Sequence, residues 1–417
     1  FICNDTLVYT EFSGNKIVFP KNVLIPVSYL NNRNVVRRKF NLDVDAKIDL
    51  TPDRMHSAPQ SMLLMLTNKC VTKCKYCYAD KGTRCKEMST EKILEIIEQA
   101  SKLQMSYVDV IGGEVFCRKD WDVILKALVD QDLTPNFIST KFPLSEEMVK
   151  KLYDTKYSNV VQVSLDSLSQ TVLENTIGCK SGYVEKMKKT ISYLEKYGFK
   201  IQINSILTKD TAVKEELDRL YEYVEDISNL AYWEIRVPER SIYSPVTFEE
   251  VKAPRKQIEA ICGYVKSSLI PNAHFKIMCS DEILNEHLAE GISSDECFHG
   301  GTCGILQSAF FVLPDGKVSI CEQMYWHPQY IIGDLSKQTI EEVWNSSKAK
   351  EIFHMEREIF RKESKCRSCK IFDLCNKKHR RCAVKIIRAY GKENWDYPDP
   401  RCLYADKVKP QYCEENL

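Results

Sequence analysis

Residues 61–67 read SMLLMLT, and residues 68–77 continue NKCVTKCKYC. The first stretch is an apolar run between a serine and a threonine, the pattern of a strand buried on both faces. The second opens a loop with three cysteines spaced Cys70-x3-Cys74-x2-Cys77. Working outward, the same alternation recurs. Residues 89–104 have helical spacing with Ser89 or Thr90 as N-cap, residues 107–111 read as a strand and 120–130 as a helix. Strands at 136–140, 160–165, 201–207 and 232–237 follow, each with a helix after it: 145–154, 183–197, 214–227 and 254–268. Six strand–helix units in about 210 residues predict an α/β fold with a parallel sheet. Six units fit a partial (β/α)6 barrel, open on one side, better than a closed eight-stranded one.

The alternation stops near residue 285. Residues 312–321 (VLPDGKVSIC) read as a hairpin about Pro314-Asp315-Gly316, and 339–357 as a helix. Residues 361–413 read as loop, rich in cysteine, with a basic stretch at 377–381. Such a segment buries little apolar surface, so bound metal is expected to hold it together. Before the barrel, residues 1–59 read as short strands and turns. The expected organisation is therefore a strand-rich segment at 1–59, the barrel at 60–285 and a cysteine-rich domain at 286–417.

The chain has 417 residues, 44% hydrophobic, with 59 basic and 58 acidic side chains and a net charge of +1. That balance gives no global pull toward nucleic acid or an anionic membrane. No apolar run approaches a bilayer span, and the first residues lack a basic leader followed by an apolar stretch. A cytoplasmic protein is expected, and 18 cysteines in a reducing compartment point to metal rather than disulfides.

The triad lies just after the first strand, where parallel barrels gather catalytic loops. Three thiolates can hold three irons of a 4Fe–4S cluster and leave the fourth open. Zinc is the alternative, with Cys85 as fourth ligand. Gly112-Gly113-Glu114 follows the second strand, and glycines there leave the backbone open to close approach. Taken alone, these three residues also read as a strand-ending turn.

The triad, with Tyr76 before its third cysteine, resembles the signature of the radical S-adenosylmethionine (SAM) superfamily. The resemblance implies one cluster on Cys70, Cys74 and Cys77, with SAM on its open iron. It puts Tyr76 near the adenine and Gly112, Gly113 and Glu114 at the SAM amino group. It puts Ser164 and Asp166 near the ribose and carboxylate, and Asn204, Ile206 and Arg236 as further SAM contacts. Farther on, Cys303-x12-Gly316-x4-Cys321, then Cys366-x2-Cys369-x5-Cys375, Cys382 and Cys402, resemble the SPASM extension. Gly333-Asp334-Leu335 and Glu342-Val343-Trp344-Asn345 match its linking segment. This implies two auxiliary 4Fe–4S clusters, three in all: one on Cys297, Cys303, Cys321 and Cys382, the other on Cys366, Cys369, Cys375 and Cys402. The pattern departs after Cys375, where His379 stands at the usual cysteine spacing and Cys382 comes later. Cys382 is favoured because thiolate is the usual cluster ligand.

SPASM enzymes mostly mature ribosomal precursor peptides. The resemblance thus implies reductive SAM cleavage to a 5′-deoxyadenosyl radical and an oxidative thioether, carbon–carbon or ether cross-link in such a peptide. A flavodoxin- or ferredoxin-like reductant and a monomer are expected. Glu322, directly after Cys321, resembles the base of the anaerobic sulfatase-maturating enzymes, the alternative activity. A non-catalytic partner with degenerate SAM binding is the third possibility, opposed by the intact triad and glycine turn.

Overall fold

A computed structural model describes residues 2–3, 6–10, 16–19, 58–103, 105–243, 245–281, 306–377 and 381–406. At the start, β1 (Ile2–Cys3), β2 (Thr6–Thr10) and β3 (Lys16–Phe19) form an antiparallel sheet in the order β1-β2-β3. The remaining strands build the barrel. They are β4 (Ser61–Met65), β5 (Tyr107–Ile111), β6 (Phe137–Thr140), β7 (Val160–Ser164), β8 (Ile201–Ile206) and β9 (Leu230–Arg236). To these the structure adds β10 (Ile277–Ser280), β11 (Ala309–Val312), β12 (Lys317–Ser319) and β13 (Ile331–Asp334).

The strands form two five-stranded sheets, β10-β9-β8-β7-β6 and β13-β12-β11-β4-β5. The first is parallel throughout. In the second, β4 lies between β5 and β11, parallel to both. That position explains the apolar run: Met62 and Leu64 on one face are completely buried and Met65 on the other is 1% exposed, and a two-sided strand needs apolar residues on both faces. The α/β partial barrel is as expected. Its six predicted strands gain two parallel neighbours, β10 beside β9 and β11 beside β4, so the hairpin read as part of the C-terminal region is built onto the barrel sheet.

The helices start where their caps allow. Ser89, Ser145 and Ser169 accept the first-turn N–H of Lys92, Met148 and Val172 and open Thr90–Lys102, Glu146–Asp154 and Gln170–Ile177. Gln170–Ile177 lies between a predicted strand and helix and was not expected. Residues 339–357 form two helices rather than one. Thr339 and Glu342 close a capping box on Ile340–Trp344, and Ser346 caps Ser347–His354 anew, accepting from Ala349 N at 3.1 Å. Region 361–413 is also less loop-like than read, since Phe372–Lys377 and Ala383–Tyr390 are helical. At the hairpin, Gly316 has φ +91°, and a Cβ there would lie 2.8 Å from Ser336 N, so only glycine fits. No helix among the described residues is long and apolar enough to cross a membrane.

Candidate active site

The C-terminal ends of β4 to β9 open into one cavity of about 580 Å³. The loop after β4 is anchored by its backbone. Lys73 N donates to Ile177 O at 2.7 Å and Lys75 N to Thr176 O at 2.9 Å, so the loop rests on the end of the 170–177 helix. Buried Thr72 puts its hydroxyl 3.3 Å from both Cys70 Sγ and Cys74 Sγ. From above, Ser241 Oγ donates to Tyr78 O and Thr247 Oγ1 to Lys75 O. Cys70, Cys74 and Cys77 all line the cavity. Among the described residues no group of three His, Cys, Asp or Glu side chains is arranged to hold a single ion. In a cubane each thiolate binds its own iron, so the triad has no need to converge.

The glycine turn after β5 is stitched to the same loop. Gly113 N donates to Thr67 O and Glu114 N to Lys69 O, each at 2.7 Å. A Cβ on Gly113 would stand 2.3 Å from Lys69 O, closer than any side chain tolerates. Glu114 is buried. Its Oε2 accepts from Lys141 N at 2.8 Å, while Oε1 has no partner. Burial pushes its carboxyl up to about 7, against the pull of the Lys141 and Phe116 backbone N–H groups. On β8, Asn204 Oδ1 is a second buried acceptor without a partner in the same cavity wall.

Asp166, after β7, sits behind this wall. Its Oδ1 accepts from Ile206 N at 3.1 Å and its Oδ2 from the Tyr76 hydroxyl and from Lys141 Nζ at 2.8 Å. Lys141 Nζ is also 2.7 Å from Tyr76 Oη. Burial pulls the lysine's pKa down, but Asp166 and Cys74 outweigh it, and the ammonium is favoured. Burial and Asp166 together push the Tyr76 hydroxyl far up, so it stays a donor. Ser164, Ile206 and Arg236 line the cavity, Arg236 paired to Glu234 at 2.7 Å. Glu322 lines its far side with Gln323 and Tyr325; burial raises its carboxyl and Arg236 partly opposes that.

The C-terminal cysteines fall into two places. Cys321, Cys375 and Cys382 line a second cavity of about 110 Å³ with Arg381. Cys366, Cys369 and Cys402 are electrostatic neighbours; Cys366 is held up first by burial, then by Cys402 and Cys369 against Arg381. Cys375, which the spacing groups with these three, thus opens toward Cys321 and Cys382. Cys382 N donates to Asp399 Oδ2 at 2.9 Å. Cys297, Cys303 and His379 lie outside the described residues, and none of the fourteen cysteines whose side chains are described forms a disulfide.

Sequence reasoning missed Lys141, Thr72 and Tyr78. The signal for Lys141 was its place, directly after the third barrel strand, where barrels put functional groups. Two buried acceptors without partners, three thiols and a glycine that admits no side chain suit a cluster and the amino-acid end of SAM. In the smaller cavity the chemistry of the donors, three thiols, likewise suits an iron–sulfur cluster.

Such a barrel and wall define a radical SAM protein. Residues 64–224 match the radical SAM superfamily and residues 303–370 the SPASM iron–sulfur cluster-binding domain. The chain thus carries a radical SAM domain and, C-terminal to it, a SPASM domain. It is 23% identical to the mycofactocin maturase of Mycolicibacterium smegmatis, over 86% of this chain and 88% of that one. It is 20% identical to the PqqA peptide cyclase of Methylocella silvestris, over 75% and 80%. Its fold superposes on SuiB of Streptococcus suis bound to S-adenosylmethionine with a TM-score of 0.63 and 17% identity, over 96% and 99%. SuiB is also known bound to its precursor peptide SuiA.

Proposed function

We propose that this chain is a peptide maturase that cleaves SAM reductively and installs an oxidative cross-link in a ribosomal precursor peptide. The observation that carries this reading is the single cavity. It joins the Cys70, Cys74 and Cys77 loop and the Glu114 wall to Glu322, which directly follows Cys321. A substrate held there lies between the radical site and the C-terminal thiols. The relatives' names fit: a maturase, a peptide cyclase and an enzyme bound to a precursor peptide.

When bound, the clusters and SAM would supply a 5′-deoxyadenosyl radical for hydrogen abstraction and sinks for the electron released on closure. Cys70, Cys74 and Cys77 would hold the first cluster. Cys297, Cys303, Cys321 and Cys382 would hold the second, and Cys366, Cys369 and Cys402 the third, to which the spacing adds Cys375 although it opens toward the smaller cavity. Glu114 would accept from the SAM amino group through Oε1, and Gly112 and Gly113 let that group approach the turn. Tyr76, Ser164, Asn204, Ile206 and Arg236 would shape the rest of the SAM site. Glu322, raised by burial, is suited to take a proton from a substrate hydroxyl, thiol or amide as the cross-link closes. A low-potential flavodoxin or ferredoxin would reduce a monomeric enzyme in the cytoplasm.

The test is incubation of the reconstituted enzyme, SAM and reductant with the short peptide encoded beside its gene. The expected product is lighter by two hydrogens or a multiple, with 5′-deoxyadenosine formed alongside. An unchanged precursor, together with conversion of a sulfatase-peptide cysteine to formylglycine, would move the activity to the sulfatase-maturating class. Absence of 5′-deoxyadenosine from fully loaded, reduced enzyme supplied with its substrate peptide would leave only a non-catalytic role.

A further inference from the structure

We propose that Lys141 is the residue that holds the carboxylate of SAM, paired with Glu114 at the amino end. The inference rests on the SAM site described above and concerns a side chain that the family resemblance does not assign. That resemblance puts the carboxylate near Ser164 and Asp166. Asp166, however, is an anion sealed behind the wall, and an anion repels a carboxylate. The cation bonded to it is Lys141, which lines the cavity and keeps 14% of its side-chain surface open.

An ammonium has three N–H donors. Lys141 directs them at Tyr76 Oη, 2.7 Å away, and Asp166 Oδ2, 2.8 Å away, which leaves one for the cavity. Lys141 is the cation that pairs with Asp166, which also accepts from Tyr76 and Ile206 N, and the lysine still keeps part of its surface on the cavity. The two ends of the binding wall are tied through one residue. The backbone N–H of Lys141 bonds Glu114 Oε2, and Glu114 Oε1 is the acceptor without a partner. One acceptor and one cation, held by the same strand end, complement the amino and carboxylate groups on one α-carbon. The Tyr76 hydroxyl, shared between Lys141 and Asp166, fixes the lysine's direction.

The test compares SAM with decarboxylated SAM, which lacks only the carboxylate. Dissociation constants are measured by equilibrium dialysis on cluster-reconstituted enzyme, and the perturbation of the reduced-cluster EPR signal is read in parallel. Wild type should prefer SAM. Lys141→Met should weaken SAM by roughly 10- to 100-fold, the range of one charge-assisted hydrogen bond, and leave decarboxylated SAM nearly unchanged. Lys141→Arg should keep the preference. If Lys141→Met fails to fold because Asp166 is left as an unpaired buried charge, Lys141→Met/Asp166→Asn removes both charges and should show the same lost preference. Equal weakening of both compounds in these variants would make Lys141 a support for Tyr76 and overturn the proposal, as would an unchanged preference. Wild-type enzyme that binds neither compound would instead overturn the SAM site itself.

Discussion

The barrel and the cysteine-rich end solve the same problem, holding thiols in place, by opposite means. In the barrel, Cys70, Cys74 and Cys77 ride on a loop whose backbone is pinned to the 170–177 helix, and the neighbouring glycine turn is bonded to its first residues. Beneath lie two sheets whose strands β4, β7 and β9 carry fully buried residues such as Met62, Leu64, Val161 and Trp233. In the C-terminal region the helices Phe372–Lys377 and Ala383–Tyr390 are short, and polar ties supplement a small set of buried side chains such as Phe372, Ile386 and Ile387. Arg361 holds Asp396, Arg401 holds Asp399, and Arg357 donates to Cys369 O. The difference teaches where metal acts on structure. The expectation is that the barrel presents its thiols without a cluster, whereas the C-terminal region needs bound metal to close its fold.

The sharpest way to break this contrast is to remove one thiol from each region. Cys74→Ala should abolish 5′-deoxyadenosine formation yet leave the far-UV circular dichroism and melting of the barrel close to wild type. Loss of the fold on this substitution would mean that the barrel also depends on its cluster. Cys369→Ala should keep SAM cleavage while product formation, followed by mass spectrometry, falls to background. Limited proteolysis of that variant should cut first between residues 357 and 406. Full product from Cys369→Ala would reduce the second auxiliary cluster to scaffolding at most.

A third, smaller effect tests the stitching of the glycine turn. Gly113→Val puts a Cβ into Lys69 O and must displace the cysteine loop. SAM binding should weaken at least tenfold, and stability should drop by about 1–3 kcal/mol, the usual cost of overpacking; calorimetry checks both. The smallest effect is a pH dependence. Glu114 ionises at about 7 in the folded protein because burial disfavours its charge. The ionised form is the better acceptor for the SAM amino group, so through this group affinity rises with pH across that value and then levels off. The stability term has the opposite sign. Raised above its unfolded value, Glu114 contributes stability that is fully present near pH 4 and is lost as pH rises through about 7. Titrations of wild type and Glu114→Gln should differ in this window, the variant being flat.

Much of the barrel was legible because its strands advertise themselves locally. The run at 61–67 and the capped helices at 89 and 145 follow from nearest-neighbour chemistry. What was not legible is pairing at long range. Strand β11 could be read as half a hairpin, but nothing in residues 309–312 says that it lies beside β4. Strand β10 is four residues long and ends in Cys279-Ser280, too brief to read as a strand. The spacing of Cys70, Cys74 and Cys77 on one loop could be read along the chain, and all three line the cavity. Lys141 could not, because a lysine at a strand end ordinarily faces water; burial against Tyr76 and Asp166 makes it part of the site. The division of the C-terminal thiols by spacing likewise did not convey that Cys375 opens toward Cys321 and Cys382.

The placement of β11 beside β4 also bears on the order in which the chain can be assembled. Ser61 pairs with Ala309 and Leu64 with Val312. During synthesis, β4 therefore waits for the ribosome to deliver its second neighbour nearly 250 residues later. Until then the strand that leads into Cys70 has one open edge, an apolar template for wrong pairing. Iron delivery to the first site is best timed after the hairpin has emerged, so the cell should load this protein as an almost finished chain.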